Sequence, residues 1–221
     1  MPTTTNSTKR KMLSDLVKGY DKFQDEAGIN FCFATVDVKG SASVDCIGTL
    51  LEWDSANSAF YPVATKTDWT ATTAYTAGDV VVPTTRNGFE YVATNADTSG
   101  STEPTWPTEE GATITETGDQ AWVCRVPYAK DPSSPLANSA TVCVTVGNAK
   151  GRGFNEADVT LTSAAQDMTV LYRGAAAVSP TGMEVSGIDT DDLASFKKAL
   201  EASNIAIADD ATVVVSSTVS A

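Results

Sequence analysis

Residues 69 to 91 read Trp69-Thr-Ala-Thr-Thr-Ala-Tyr75-Thr-Ala-Gly78-Asp79-Val-Val-Val-Pro-Thr-Thr-Arg-Asn87-Gly88-Phe-Glu-Tyr91, followed by Glu103-Pro104-Thr105-Trp106-Pro107 and then Trp122. Asn87-Gly88 is a strong hairpin signal because both residues tolerate positive φ, so the stretch predicts two short strands joined there. Gly78-Asp79 predicts a turn before the second strand. Aromatic and valine side chains fall on the strands. A fold of about 55–60 residues has little apolar volume, so Trp69, Tyr75, Tyr91 and Trp122 are expected mainly in its core. Trp106, held between Pro104 and Pro107, is the candidate for an exposed ring.

The surroundings mark this stretch off. Lys66 is the last lysine until Lys130, and the intervening residues are rich in threonine. Pro127-Tyr-Ala-Lys-Asp131-Pro132-Ser-Ser-Pro135 then punctuates the chain before strand-like patterning resumes at Ala140 to Val146. Residues 68–126 therefore read as a small β module inserted in a discontinuous body made of 23–67 and 127–221, with 1–22 as an N-terminal arm. Loops whose ends lie close together accept such insertions at small entropic cost. The expected class is mainly β with a C-terminal helix (α+β), the body being made of short antiparallel strands.

Within the body, Ile29 to Val38 and Val44 to Leu51 are rich in β-branched and aromatic residues and flank Lys39-Gly40-Ser41, which predicts a hairpin. Trp53 to Val63 predicts a further turn at Asn57-Ser58, followed by a strand. Asp167 to Arg173 alternates as a strand, and Ile205-Ala-Ile207 and Val213-Val-Val215 are short strand candidates. After Gly187 comes the clearest helix. Asp189-Thr190 caps it, Asp191 and Asp192 favour its positive end, and Leu193, Phe196 and Leu200 share one face. Residues 12 to 23 also place apolar groups near helical spacing, with Gly19 as a weak point, and predict a short helix or a segment that folds on a partner.

The chain of 221 residues carries a formal net charge of -13. Residues 1 to 22 hold five cations, Lys9, Arg10, Lys11, Lys18 and Lys22, against Asp15 and Asp21, a local +3 that leaves -16 on the remainder. An acidic body lacks the cationic face that nucleic acid or an anionic membrane requires, so neither is an expected partner. No apolar run approaches the ~20 residues that span a bilayer, and Met1-Pro-Thr-Thr-Thr-Asn-Ser-Thr lacks the apolar centre of an export signal, which points to assembly in a cytoplasm. Cys32, Cys46, Cys124 and Cys143 show no C-x2-C spacing and sit among alternating apolar residues, as buried reduced thiols do.

The chain contains no histidine. That removes histidine-activated nucleophiles and the commonest metal ligand, so neither a metal nor a cofactor is expected. Glu109-Glu110 and Asp191-Asp192 are adjacent carboxylates, but neighbours in sequence do not straddle a substrate bond, and no catalytic residue is assigned. Gly147-Asn-Ala-Lys150-Gly151-Arg152-Gly153 lacks the Gly-Lys-Ser/Thr ending of a phosphate loop. It reads as a flexible loop that can present Lys150 and Arg152 to an acidic neighbour.

The pattern W-x5-Y-x2-G-D, then N-G-x-x-Y, then a closing Trp resembles chitin-binding-type carbohydrate-binding modules, and modules with the Glu103-Pro104-Thr105-Trp106-Pro107 segment are found in tailed-phage virion proteins. The resemblance implies a glycan-binding role for Trp106, Trp69, Tyr75 and Tyr91. Where such modules carry an exposed aromatic pair, this chain has Asn95-Ala96-Asp97, which leaves Trp106 as the ring for stacking.

Leu136 through Gly174, then Gly187-Ile188-Asp189 and the helix, resemble capsid decoration (head decoration) proteins of tailed bacteriophages. That resemblance implies a structural, non-enzymatic virion protein on the capsid surface. Its partners would be the major capsid protein, neighbouring copies of itself in a homo-oligomer such as a trimer, and a cell-surface glycan. Capsid or subunit contacts would come from Lys9, Arg10, Lys11, Leu13, Leu16 and Tyr20 of the arm and from Lys150 and Arg152. The alternative is a carbohydrate-binding or adhesin protein of the tail apparatus.

Overall fold

The computed structural model describes residues 17–18, 33–148, 159–173, 176–178 and 183–207. Within them the chain is mainly β with one α-helix, Thr190–Ala202, towards the C-terminal end. It forms two compact units. The first is drawn from the stretches 1–62, 143–184 and 200–221, and the second from 63–142 and 185–199.

The first unit is built on a closed barrel whose strands run in the order Val142–Asn148, Gln166–Leu171, Phe33–Val38, Ala59–Pro62, Ile47–Asp54. Alternation sets its inward face. In Phe33–Val38, Val36 and Val38 are buried while Thr35 and Asp37 are exposed. Met168 and Val170 are likewise buried on the paired strand. Phe60, Leu51 and Leu171 are also fully buried, and each large apolar side chain removed from water contributes ~1.5–3 kcal/mol. The turn after Asp54 is held by its own carboxylate, which accepts hydrogen bonds from the backbone of Ala56 and Asn57 and from the Asn57 amide. This is the turn and strand expected at Asn57-Ser58.

The hairpin expected between Ile29–Val38 and Val44–Leu51 does not form. Phe33–Val38 pairs antiparallel with Gln166–Leu171 over all six of its residues, and Ala59–Pro62 lies between it and Ile47–Asp54. A closed barrel leaves no edge unpaired, so a distant strand with matching alternation displaces the local partner. Nor are all pairings antiparallel. Val38 meets Phe60 in a parallel bridge, and Ala176–Val178 runs parallel to Ile205–Ile207.

Val17 and Lys18 form a short strand against Val178 and Ala177. The helix expected over residues 12 to 23 is therefore not continuous through this point. A short isolated helix is marginal in water, whereas the edge of the Ala176–Val178 strand offers backbone partners to the β-branched Val17 and to Lys18. The expected contact residues, Lys9, Arg10, Lys11, Leu13, Leu16, Tyr20, Lys150 and Arg152, all lie outside the described residues, as do Cys32 and Val213-Val-Val215. Cys46, Cys124 and Cys143 are buried, and burial raises the Cys143 thiol well above its ordinary value.

The second unit takes in more than residues 68–126. It also includes the proline-punctuated return to 142 and the first part of the helix. Its main sheet is antiparallel, in the order Thr113–Thr115, Ala121–Arg125, Glu90–Ala93, Val80–Val81. Ala74–Tyr75 and Asp97–Thr98 make a second, two-stranded ladder. Helix entry follows the sequence signal: Asp189 Oδ1 accepts the backbone N–H of Asp191, and the Asp189 carbonyl accepts that of Leu193. Phe196 and Leu200 are fully buried, and Leu193 is half-buried.

In the barrel, the fully buried Thr145 hydroxyl oxygen accepts the backbone N–H of Thr49 at 2.9 Å. Thr145→Val keeps the shape and removes the acceptor, stranding a buried donor. The expected loss is about 1–3 kcal/mol, measured as a lower urea midpoint with an unchanged slope.

Candidate functional site

The aromatic residues of the opening stretch meet inside the second unit. Trp69, Tyr75, Tyr91 and Trp122 are 6%, 8%, 0% and 0% exposed, and they pack with Val81, Ala93 and Cys124. Tyr75 and Trp122 meet edge to face, with centroids 5.0 Å apart. Trp69, Tyr75 and Tyr91 therefore offer no ring face to a sugar, and the glycan role implied for them gives way to a packing role.

Trp106 keeps partial exposure. Its ring lies 4.2 Å from that of Tyr91 and 5.9 Å from that of Trp122, so it closes the cluster as a lid ring and is not a free platform.

The tryptophans are held by a residue that the sequence reading did not single out. Glu116 is 7% exposed. Its Oε1 accepts the indole N–H of Trp69 at 2.9 Å and also that of Trp122, while Oε2 accepts the Gly100 backbone N–H at 2.7 Å. A Cβ on residue 100 would stand 3.3 Å from Oε2, so glycine there lets the backbone approach the carboxylate. The signal in the sequence was indirect. Two indole N–H groups in a small core need a buried acceptor, and Glu116 lies six residues before Trp122, at the start of the turn that leads into its strand.

The motif's polar residues tie its loops to the same core. The Tyr91 hydroxyl donates to the Pro107 carbonyl at 2.6 Å and accepts from the Asn87 amide at 2.8 Å, and burial pushes its pKa up to about 12. Asn87 Oδ1 also accepts the Phe89 N–H, and Gly88 has φ +84°, so Asn87-Gly88 does reverse the chain. The connection spans residues 82–89, longer than a two-residue hairpin turn. Thr76 to Asp79 forms the expected turn at Gly78, where φ is +97° and the Asp79 N–H reaches the Thr76 carbonyl. It precedes the first strand of the hairpin, not the second.

Asn95, in the place of an aromatic pair, accepts the Ala121 N–H at 2.8 Å and donates to the Asp119 carbonyl at 2.8 Å. It braces the turn that carries Glu116.

Glu103 joins the Trp106 segment to the hairpin loop. Its carboxylate accepts the Trp106 indole N–H and the Thr84 backbone N–H, both at 2.9 Å, and the Thr84 hydroxyl. Burial alone would raise the Glu103 carboxyl, but the bonds from Thr84 and Trp106 outweigh it and hold its pKa below the usual value.

A second polar group lines the far side of the sheet. Glu90, 1% exposed, pairs with Arg125 at 2.6 Å and with Lys66 at 3.5 Å. Arg86 pairs with Asp68 and with the buried Asp192, which also accepts the Lys66 backbone N–H at 2.7 Å. Asp192 is therefore spoken for, Asp191 beside it is exposed, and Glu109 and Glu110 are both exposed. Neither adjacent pair converges on a shared space. Between the 82–89 loop, Pro127-Tyr128 and the start of the helix lies a cleft of about 250 Å³.

No known protein family, characterised protein or solved structure matches the chain. Among the described residues, no helix is long and apolar enough to cross a membrane, and no three or more acidic or thiol side chains gather as a metal site.

Two substitutions probe this arrangement. Glu116→Gln replaces one carboxylate oxygen with an NH2 group facing an N–H donor. The expected cost is about 1–3 kcal/mol, read from tryptophan fluorescence during urea unfolding. For Glu103, a lowered folded pKa means its stabilisation is complete above the ordinary value of 4.5 and is lost as pH falls through the folded value. The melting-temperature gap between the wild type and Glu103→Gln should then be widest near neutrality and close on acidification below 4.5. A gap that does not change with pH would refute the role assigned to this carboxylate.

Proposed function

We propose that this chain is a structural attachment protein of a tailed-phage virion, a capsid decoration protein whose barrel unit is the body and whose second unit is a displayed insert. The observation that carries this reading is where the chain departs from the barrel. It leaves after the strand Ala59–Pro62, builds a separate sheet and aromatic core, and re-enters the same barrel at Val142–Asn148. The carbohydrate-module spacing falls wholly inside that excursion, and most of the decoration-protein resemblance falls in the barrel stretch that follows it. The partners in this reading are the major capsid protein and neighbouring copies of the chain, and attachment requires no catalytic step.

A second reading, a glycan-binding or adhesin protein of the tail apparatus, is favoured by Trp106, the one ring of the five that keeps partial exposure. Retention on chitin that is lost in Trp106→Ala would support it.

The leading reading is tested by cosedimentation with phage shells stripped of their decoration protein. The full chain is expected to pellet with shells, and failure to do so where the native decoration binds would overturn the proposal. Because Val17 and Lys18 belong to a strand of the body, the truncation that tests the arm stops before them and removes residues 1–16. That truncation should retain the full chain's melting temperature and lose most shell binding.

A further inference from the structure

Asn87-Gly88 lies in the 82–89 connection, where it reverses the chain. Gly88 is exposed and has no side chain to crowd its peptide nitrogen, and among the described residues no group accepts its N–H. Asn87 beside it is half-buried, and both ends of its amide are engaged. Nδ2 donates to the Tyr91 hydroxyl at 2.8 Å, and Oδ1 accepts the Phe89 N–H at 3.1 Å.

That arrangement supports a reaction within the chain. The Gly88 nitrogen, losing its proton to solvent, attacks the side-chain carbonyl carbon of Asn87, its neighbour in the same turn. As the N–Cγ bond forms, negative charge builds on Oδ1, where the Phe89 N–H is already in place to receive it. The Cγ–Nδ2 bond then breaks, Nδ2 takes a proton from solvent and leaves as ammonia, and a succinimide remains. Water opens that ring at one carbonyl or the other, giving aspartate or isoaspartate. The net change is OH for NH2, with water consumed and ammonia released, and no oxidant or reductant is needed.

From this we infer that Asn87-Gly88 is a self-modification site whose conversion loosens the Trp106 segment. The Tyr91 hydroxyl donates to the Pro107 carbonyl at 2.6 Å while it accepts from Asn87 Nδ2, and either product lacks that donor. In the aspartate form the hydroxyl has a single proton and two acceptors. It keeps Pro107 and faces a carboxylate oxygen without a hydrogen between them, or it turns to the carboxylate and releases Pro107. Isoaspartate lengthens the backbone of the connection as well. The tie between the Trp106 segment and the sheet is thus weakened slowly and in one direction. This inference does not depend on the capsid reading, since it concerns chemistry internal to the second unit.

The test ages the full, folded chain at neutral and at mildly alkaline pH and maps its peptides, with isoaspartyl methyltransferase labelling to detect the isomer. Asn87 is expected to convert at least about tenfold faster than Asn57, Asn95 or Asn138, a barrier lower by about 1.4 kcal/mol, and faster still at the higher pH because the attacking nitrogen must lose its proton. Urea well below the unfolding midpoint should leave the rate unchanged. A rate that climbs with urea would place the reaction in the unfolded chain and overturn the inference, as would the lack of any excess at Asn87. The consequence is read from the Trp106 indole N–H, which donates to Glu103. Its hydrogen exchange should quicken by about fivefold or more in Asn87→Asp and by less than about twofold in Asn138→Asp, which makes the same charge change elsewhere in the unit. Equal exchange in the two variants would overturn the link to Trp106.

Discussion

Two indole N–H groups and one backbone N–H converge on the Glu116 carboxylate inside the second unit. Burying any one of these donors without an acceptor costs about as much as a hydrogen bond contributes, and a small module has little spare stability to absorb the loss. With the acceptor in place, Trp69 and Trp122 become core residues, Tyr75 packs edge-on against Trp122, and Trp106 and Tyr91 close the other side. Around this, Asn95 fixes the turn bearing the carboxylate, and Tyr91 and Glu103 fix the Asn87-Gly88 loop and the Trp106 segment. The spacing that resembles a sugar-binding surface is here the framework of a hydrogen-bonded core.

Local signals in the sequence were largely readable, and distant ones were not. The helix start at Asp189, the reversals at Gly78 and Asn87-Gly88 and the turn after Asp54 each depend on backbone preferences within a few residues, and each is found in place. Phe33–Val38 was correctly read as extended, but its partner lies beyond the insert, and alternation alone cannot say which of several matching strands will be chosen. The same limit applies to chemistry. Aromatic residues announce a core by their size, whereas Glu116, Glu90 and Asp192 look in sequence like ordinary surface acids, and only the fold shows that their partners are brought to them. Within residues 12–23, Val17–Lys18 departs from the expected helix for a third reason: an apolar stripe near helical spacing does not reveal that a strand edge is waiting for part of it.

The charged residues of the second unit divide into two kinds. Glu90 and Asp192 are enclosed and each is shared by two partners, so removing one cation would leave a carboxylate buried with its remaining partner alone. Asp191, Glu109 and Glu110 are solvated and contribute chiefly to the surface field. Tolerance to substitution should follow this division and not residue type, since an aspartate and its immediate neighbour at 191 and 192 fall on opposite sides of it.

The excursion from the barrel also bears on how quickly the first unit can assemble. Val38 faces Gln166 across a separation of 166 − 38 = 128 residues, and Phe33 faces Leu171 across 138. Strand pairing at such range is slow because the intervening chain loses freedom before any contact rewards it. That entropy grows only with the logarithm of loop length, about 0.6 kcal/mol per doubling, and a segment that has already collapsed around its own aromatic core no longer counts as flexible chain. A second unit that folds early would therefore act as a splint, replacing some eighty wandering residues with a compact body and shortening the search by which the barrel closes.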